Sequence, residues 1–256
     1  MLLATPLVHA FNADGHKLVV QLATFQFSEP VQQRLEQLYG ERWRSELVDF
    51  ADWALEARPE PALRTVFFDP DDRFFEPARH CPDNSCVVGA LQESLFVLRG
   101  TAFTPGEQRQ ALQYLIHFIT DIHIPVNAGR RADQGGEMIS LIASDLERIS
   151  LHQAWTERLY PLMPDDWFTQ AQRLRRLLPG LPVEEWGQYV EPAIWAMETH
   201  ALALETAYPW AERRRWDAIY QRQALAVLEE QLLKASVRLA ATLEFVWALE
   251  MEEGLQ

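Results

Sequence analysis

The sequence predicts an all-α protein, mostly α-helical with minor short strands. Apolar residues recur with helical spacing through most of the chain, and helix-capping residues stand where several of these patterns begin. Glycine or proline stands where several of them end. Only residues 66–68 and 138–142 have the apolar and β-branched composition that indicates strands, and both segments are short.

Two helices are predicted in the first hundred residues. Ser28 followed by Glu29 and Pro30 is typical of a helix start, and Gly40 ends that pattern. A second helix is expected over residues 87–99, because a glycine follows directly at position 100.

Three longer helices are predicted further along the chain. Residues 104–107 form a capping box with proline at the first helical position, apolar residues follow at helical spacing, and Pro125 ends the helix. Residues 192–208 and 217–249 predict two more, and the last contains small residues suited to close helix packing.

The size and charge of the chain limit its organisation and its partners. With 256 residues, 48% of them hydrophobic, it can bury one large core, so we expect one domain over residues 11–256 and a monomer. The 37 acidic residues outnumber the 23 basic ones, and the net charge of −14 repels the backbone of a long duplex. Any contact with nucleic acid must therefore be local, at a pocket or a metal. No uncharged stretch approaches about 18 residues, so no transmembrane helix is predicted.

The start of the chain is interpreted as the remnant of a signal peptide, over residues 1–10. The first thirteen residues carry no Asp, Glu, Lys or Arg, and residues 8–10 resemble a signal-peptidase site before Phe11. Because the segment is short and lacks a basic region, the alternative that it is not a leader stays open. A leader predicts a secreted or periplasmic protein.

Two cysteines enclose a short loop. Four residues separate Cys81 from Cys86, and such a pair can close a small disulfide in an oxidising compartment. The alternative is two reduced thiols in a cytosolic protein. The leader-like start favours the disulfide.

One predicted helix contains a pair of residues able to bind a metal. His117 and Asp121 stand one helical turn apart, so imidazole and carboxylate can reach the same cation. The alternative is a hydrogen-bonded pair in the core. His16, Asp52 and His152, each in a segment with apolar neighbours, strengthen the metal hypothesis.

Seven segments carry a resemblance to a known family. In chain order they are FNADGHKLVVQLA, FADWALEAR, CPDNSCVVGAL, ALQYLIHFITDIHIPV, DQGGE, LHQAW and WAMETHALALETAYP. Together they resemble the zinc-dependent single-strand nucleases of the S1/P1 nuclease family, which share a fold with the zinc-dependent bacterial phospholipases C. The resemblance covers nearly the whole chain, and residues 81–125 are its most specific part. It implies a single-domain, mostly α-helical phospholipase C/P1 nuclease-like fold with three zinc ions in a cleft.

The resemblance also implies the metal ligands. One zinc would be bound by His117 and by Asp121, which bridges to a neighbouring ion. Another would be bound by the α-amine and carbonyl of Phe11, by His16 and by Asp121. A third would be bound by His152.

Four positions depart from the family pattern. Leu55, Val66, Asn127 and Thr156 stand where the resemblance leads us to expect Asp, His, His and Asp. Zinc prefers nitrogen, thiolate or anionic oxygen, so Leu, Val and Thr side chains do not replace these ligands and Asn offers only a weak carbonyl. We therefore expect one or two Zn²⁺ ions rather than three.

Other residues match catalytic or substrate-binding positions of the family. Asp52, three residues before Leu55, is a candidate substitute for the missing carboxylate, and its alternative is a solvated or capping aspartate. Arg58 is a candidate to neutralise phosphate charge, or else a surface arginine. Phe67 and Asp69 match residues that stack on and bind a nucleobase; the alternatives are a core phenylalanine and a loop aspartate.

Other polar residues are interpreted as structural. His123 is interpreted as a residue of the cleft wall or as a locally hydrogen-bonded histidine, and His200 as a surface or core residue of a helix. The three consecutive arginines at 213–215 are interpreted as a solvated face, or as ion pairs with nearby acidic residues.

Two hypotheses about function follow from the sequence. The first is a zinc-dependent endonuclease or phosphodiesterase, a hydrolase that cleaves single-stranded nucleic acid or 3′-nucleotides to leave 5′-phosphates by inline attack of a zinc-activated water. The second is a non-catalytic relative that binds a nucleotide or another partner. A phospholipase C-type hydrolase is a third, less favoured reading, because Asp69 and its surroundings resemble the nucleases.

Overall fold

Helices dominate the computed structural model, which describes residues 13–51, 61–143 and 146–253. The longer α-helices are α1 (Ala13–Thr24), α2 (Glu29–Tyr39), α3 (Trp43–Phe50), α5 (Val87–Arg99), α6 (Pro105–Asp121), α8 (Trp167–Arg175), α10 (Pro192–Glu205) and α12 (Ala218–Glu253). The shorter ones are α4 (Pro77–His80), α7 (Leu151–Gln153), α9 (Val183–Gly187) and α11 (Ala207–Ala211). The all-α prediction is confirmed. None of the described helices is long and apolar enough to span a membrane.

Capping chemistry sets the helix starts that the sequence predicts. Ser28 accepts a hydrogen bond from the backbone N–H of Val31 at the start of α2. Thr104 and Glu107 form the reciprocal capping box of α6. Helix α5 has the predicted bounds, residues 87–99.

The helix predicted over residues 192–208 is divided into two. Helix α10 ends at Glu205, Thr206 adopts non-helical dihedral angles (φ −124°, ψ −76°), and α11 follows. Pro209 explains the break, because a proline ring clashes with the carbonyl four residues earlier, which here belongs to Glu205.

The strand predictions are met in part. Residues 140–142 form β1 (Ser140–Ile142), which pairs antiparallel with β2 (Arg148–Ser150), a strand that the sequence did not predict. Residues 66–68 are extended but form only an isolated bridge between Phe68 and Arg130. Their backbone is bound instead to the segment after α6, with Val66 N–H donating to the carbonyl of Asn127 at 2.8 Å.

Helix packing brings the N-terminal helix to the centre of the molecule. Helix α1 packs against α12, α8 and α6, and apolar residues around it are buried: Leu18, Val19, Val20, Leu22 and Ala23. A helix that is apolar on nearly all sides lies inside a protein. His16 in α1 therefore lies beside the C-terminal half of α6.

Candidate metal centre

A buried triad forms where α1 meets α6. His16 comes from α1, whereas His117 and Asp121 lie one turn apart on α6. Nε2 of His117 lies 3.2 Å from Oδ2 of Asp121, and Nε2 of His16 lies 3.6 Å from Oδ1. One ligand atom from each residue lies within 4.8 Å of the others, so the three side chains can converge on one ion.

Burial controls the protonation of the triad. His16, His117 and Asp121 expose 2% or less of their surface. Burial lowers the pKa of His117 to about 3, despite the opposing effect of Asp121. Burial opposes ionisation of Asp121, yet His117, His16 and Arg64 outweigh it, so the pKa of this carboxyl lies below its usual range. An ionised carboxylate next to a neutral imidazole is the protonation state that binds metal.

The hydrogen bonding of the triad fits a metal ion. Neither carboxylate oxygen of Asp121 and neither ring nitrogen of His117 has a hydrogen-bond partner among the described residues. Buried polar atoms without partners cost free energy, and a buried carboxylate costs most. A bound cation removes this cost. Two nitrogens and a carboxylate oxygen suit zinc and leave a coordination position open, as in catalytic zinc sites.

A second polar network lies next to the triad. Asn127 donates from Nδ2 to the backbone carbonyl of Asp121 at 2.8 Å, and its Oδ1 lies 3.2 Å from Nε2 of His152. Nδ1 of His152 lies 3.1 Å from Oε1 of Glu137. Both ring nitrogens of His152 therefore face acceptors, and Asn127 joins this network to Asp121 of the triad. That His152 binds a metal stays a prediction.

Two other departures from the family pattern, Val66 and Thr156, lie inside the protein. Val66 is buried and contributes no ligand atom from its side chain. The Thr156 hydroxyl donates to the carbonyl of His152 at 2.9 Å, within a π-helical segment, Ala154–Arg158. Phe11, Asp52, Leu55 and Arg58 lie outside the described residues.

The predicted nucleobase-binding residues lie on the extended segment before α4. The Phe67 ring packs against Gly135, where a Cβ atom would lie 2.7 Å from Cε1 of Phe67. Gly135 also has φ +66°, so both space and backbone conformation favour glycine. The Asp69 carboxylate is half-exposed and pairs with Nη2 of Arg79 at 2.5 Å, and Arg79 also pairs with Asp72 at 2.6 Å.

The cysteines form the predicted disulfide. Cys81 and Cys86 are bonded, with their Cα atoms 5.2 Å apart, and Cys86 is also the N-cap residue of α5. The bond therefore fixes the loop before α5 to the start of that helix.

Sequence reasoning missed three residues of this region. Glu137 pairs with His152, Arg64 is buried and acts electrostatically on the triad, and Arg79 pairs with Asp69. Glu137 is the last residue of the DQGGE segment, one of the segments that carry the family resemblance, so the sequence did contain a signal for it. Nothing in the sequence around Arg64 or Arg79 distinguishes them from surface arginines.

Two histidines and an aspartate that can converge on one cation form a ligand set suited to metal-dependent hydrolysis. Comparison with known proteins gives the family: the S1/P1 Nuclease model matches residues 11–248. The chain therefore belongs to the S1/P1 nuclease family, a family of hydrolases acting on phosphoric ester bonds.

Named relatives match over most of their length. Endonuclease 2 of Arabidopsis thaliana is 24% identical, over 96% of this chain and 94% of its own. Endonuclease 3 of the same plant is 26% identical, over 91% and 88%. Nuclease S1 of Aspergillus oryzae is 20% identical, over 94% and 93%.

Proposed function

We propose that this protein is a zinc-dependent endonuclease that hydrolyses single-stranded nucleic acid, or 3′-nucleotides, and leaves 5′-phosphates. The observation that carries the proposal is the buried triad of His16, His117 and Asp121, whose ligand atoms converge. Family membership and the names of the relatives support nuclease activity. None of these comparisons supports the non-catalytic alternative.

His16, His117 and Asp121 would hold one zinc ion between them, in place of the two ions bridged by Asp121 that the resemblance implies, because their ligand atoms can converge on one position. Zinc at such a site supplies Lewis-acid stabilisation of phosphate charge and makes water more acidic. The protein keeps Asp121 ionised and His117 neutral, so no proton has to leave His117 before binding. Asn127 holds the end of α6 through the carbonyl of Asp121.

A second zinc is proposed next to the network of His152. His152 and Glu137 together offer an imidazole and a carboxylate. The Glu137 carboxylate is a candidate replacement for the Asp ligand expected at position 156, where this chain has Thr. A zinc content of two ions per chain supports this second site, and a content of one contradicts it. A content of three contradicts the expectation of one or two ions.

Phe67 and Asp69 are proposed to bind a nucleobase. Phe67 would stack on the base, a contact that tolerates any base because every base has a π-face. The Asp69 carboxylate already pairs with Arg79 and is half-exposed, so a base would meet the charged pair of both residues.

Secretion or export to a periplasm is also proposed. The Cys81–Cys86 disulfide supports an oxidising compartment. Intact mass of the exported protein tests both this proposal and cleavage before Phe11.

A cleavage assay tests the activity. An end-labelled single-stranded oligonucleotide and its duplex form are incubated with the protein in zinc, in magnesium and in a chelator. We expect cleavage of the single strand that depends on zinc. A phosphatase should then remove phosphate from the 5′ ends of the products, because the proposed hydrolysis leaves 5′-phosphates. Asp121→Asn should abolish cleavage, and Asp83→Asn, at an exposed loop residue, is the matched control. Equal rates for Asp121→Asn and the unsubstituted protein would refute the proposal.

A further inference from the structure

The β-hairpin places two arginines on either side of one exposed apolar residue. Ile142 pairs with Arg148 in the β1–β2 register and forms a bridge with Arg215 on its other side. The backbone N–H and C=O of Ile142 both bond to the segment around Arg215, so Ile142 and Arg148 form a non-hydrogen-bonded pair, the closer of the two kinds. Directly paired residues point to the same face of a sheet. All three side chains are exposed, so they form one row on the surface.

A third arginine adjoins this row in the chain, although it lines a different cavity from the one that Arg215 lines. Arg214 precedes Arg215, is exposed, and has φ +56°, a left-handed conformation unusual for a residue other than glycine. Its carbonyl accepts from Ile142 N–H at 3.0 Å, which fixes its backbone beside the hairpin. We refer to Arg148, Arg214 and Arg215 as the arginine ledge.

Two acidic residues near the arginine ledge pair with other arginines. Asp217 pairs with Arg213 at 3.3 Å, and Glu147 pairs with Arg158 at 2.6 Å. No ion pair of Arg148, Arg214 or Arg215 is formed within the described part of the chain. Residues 213–215 were interpreted as ion pairs or as a solvated face, and Arg213 does form an ion pair. Arg214 and Arg215 instead expose their positive charge, in a protein of net charge −14.

A recess opens beside the arginine ledge. A cavity of about 230 Å³ is lined by Arg215, Arg213 and the ring of Trp210, which meets Tyr220 edge to face. Arg213 there is paired with Asp217, which also lines the cavity, whereas Arg215 forms no ion pair among the described residues. An aromatic ring beside such a cation is a combination that binds single-stranded nucleic acid, because bases stack while cations contact phosphates.

The arginine ledge lies within reach of the metal centre. Arg148 and His152 are four positions apart in the chain, so their Cα atoms are at most about 14 Å apart. His152 is joined through Asn127 to Asp121 of the triad. A strand bound at the triad can thus continue onto the ledge.

We infer that the arginine ledge and the Trp210 recess bind the phosphodiester backbone and a base of a single strand, away from the metal centre. The identity of the partner rests on the proposed function, whereas the anion-binding surface rests on the geometry alone. Guanidinium groups bind phosphate through paired hydrogen bonds, which makes arginine suited to this contact.

The test measures binding without cleavage. A fluorescein-labelled phosphorothioate oligothymidylate resists hydrolysis, and its anisotropy gives Kd at about 50 to 200 mM salt, where phosphate contacts weaken measurably. The triple variant Arg148→Gln, Arg214→Gln, Arg215→Gln is compared with Arg42→Gln, Arg99→Gln, Arg176→Gln. The control set removes the same charge from exposed positions on other elements.

Single-strand binding releases about 0.7 counterion per phosphate, so losing three contacts should lower the slope of log Kd against log salt by about 2. The ledge variant should also bind about ten-fold more weakly at low salt, with the control unchanged. Trp210→Leu should weaken binding without changing the slope. Equal slopes for the two triple variants would overturn the inference.

Two further measurements separate this inference from the proposed function. Hydrolysis of a 3′-nucleotide, too short to reach the ledge, should be unchanged in the ledge variant. If the unsubstituted protein cleaves nothing but the ledge variant still loses oligonucleotide binding, the activity is refuted and the ledge stands. Loss of binding to anionic vesicles with unchanged oligonucleotide binding would overturn the inference in favour of a membrane surface.

Discussion

The imidazole rings of His16 and His117 are stacked, with centroids 4.7 Å apart and planes inclined by 17°. Two protonated imidazoles at this distance would repel each other strongly, so the arrangement requires that at least one be neutral. Burial lowers the pKa of His117, and this keeps its imidazole neutral. The stacked pair therefore presents the neutral imidazole of His117 to a cation beside Asp121.

Zinc should raise the thermal stability of the protein through the triad. At a zinc concentration about a hundred times Kd, binding adds about 2.7 kcal/mol, or roughly 5–10 °C in Tm for a chain of this size. Asp121→Asn keeps the shape but removes the charge, and should lose most of this increase. Calorimetry with and without zinc measures it, and an undiminished increase in the variant would exclude Asp121 as a ligand.

Phe67→Leu should raise KM for a single-stranded oligonucleotide about ten-fold with kcat nearly unchanged. The leucine keeps apolar contact with Gly135 but removes the π-face, and stacking contributes about 1–3 kcal/mol per base. Steady-state kinetics separate the two constants. A fall in kcat at constant KM would show that Phe67 acts on the reacting centre rather than on the base.

The disulfide should stabilise the protein modestly. Cys81 and Cys86 are five residues apart, and closing so short a loop contributes about 2 kcal/mol in the chain-entropy account. The double variant Cys81→Ser, Cys86→Ser should therefore melt about 4–8 °C lower. Reduction of the unsubstituted protein should lower Tm by a similar amount. The prediction is refuted if neither the double substitution nor reduction changes Tm.

His200 should make folding sensitive to mild acid. Burial lowers the pKa of His200 below its ordinary value, so the unfolded chain binds this proton more tightly than the folded one. Stability from this group is complete above about pH 6.5 and falls by about 1.4 kcal/mol per pH unit below it.

Urea unfolding between pH 7 and 5 measures this dependence. His200→Gln preserves a donor to the carbonyl of Ala128, which Nδ1 of His200 contacts at 2.8 Å, and should flatten the dependence. A slope unchanged by the substitution would assign the acid sensitivity to other groups, such as His117 and His123, whose pKa values burial also lowers.

Local signals account for the parts of the fold that the sequence predicted. The bounds of α5 and the start of α6 follow from capping residues and a terminal glycine, which act within a few residues. Helices α1, α3 and α8 were not predicted individually. Strand β2 was missed because its pairing with β1 is a contact between segments, and its three residues carry no clear strand pattern.

In the candidate site, as in the fold, the sequence predicted the residues that local spacing brings together and not those that tertiary packing brings together. His117 and Asp121 share a helical face, so their spacing alone brought them together. His16 required the family resemblance, because only the packing of α1 on α6 places it there. Glu137 and Arg64 reach their positions through tertiary contacts, for which the sequence contains no periodic signal.

The triad joins parts of the chain that are distant in sequence. His16 and His117 are 101 positions apart in the chain and belong to different helices. An ion held by both links the two helices in the folded protein and is released on unfolding, so its contribution to the free energy of unfolding grows with the zinc concentration relative to Kd. Zinc supply would then decide how much of this protein stays folded and resists proteolysis, independently of any reaction it catalyses.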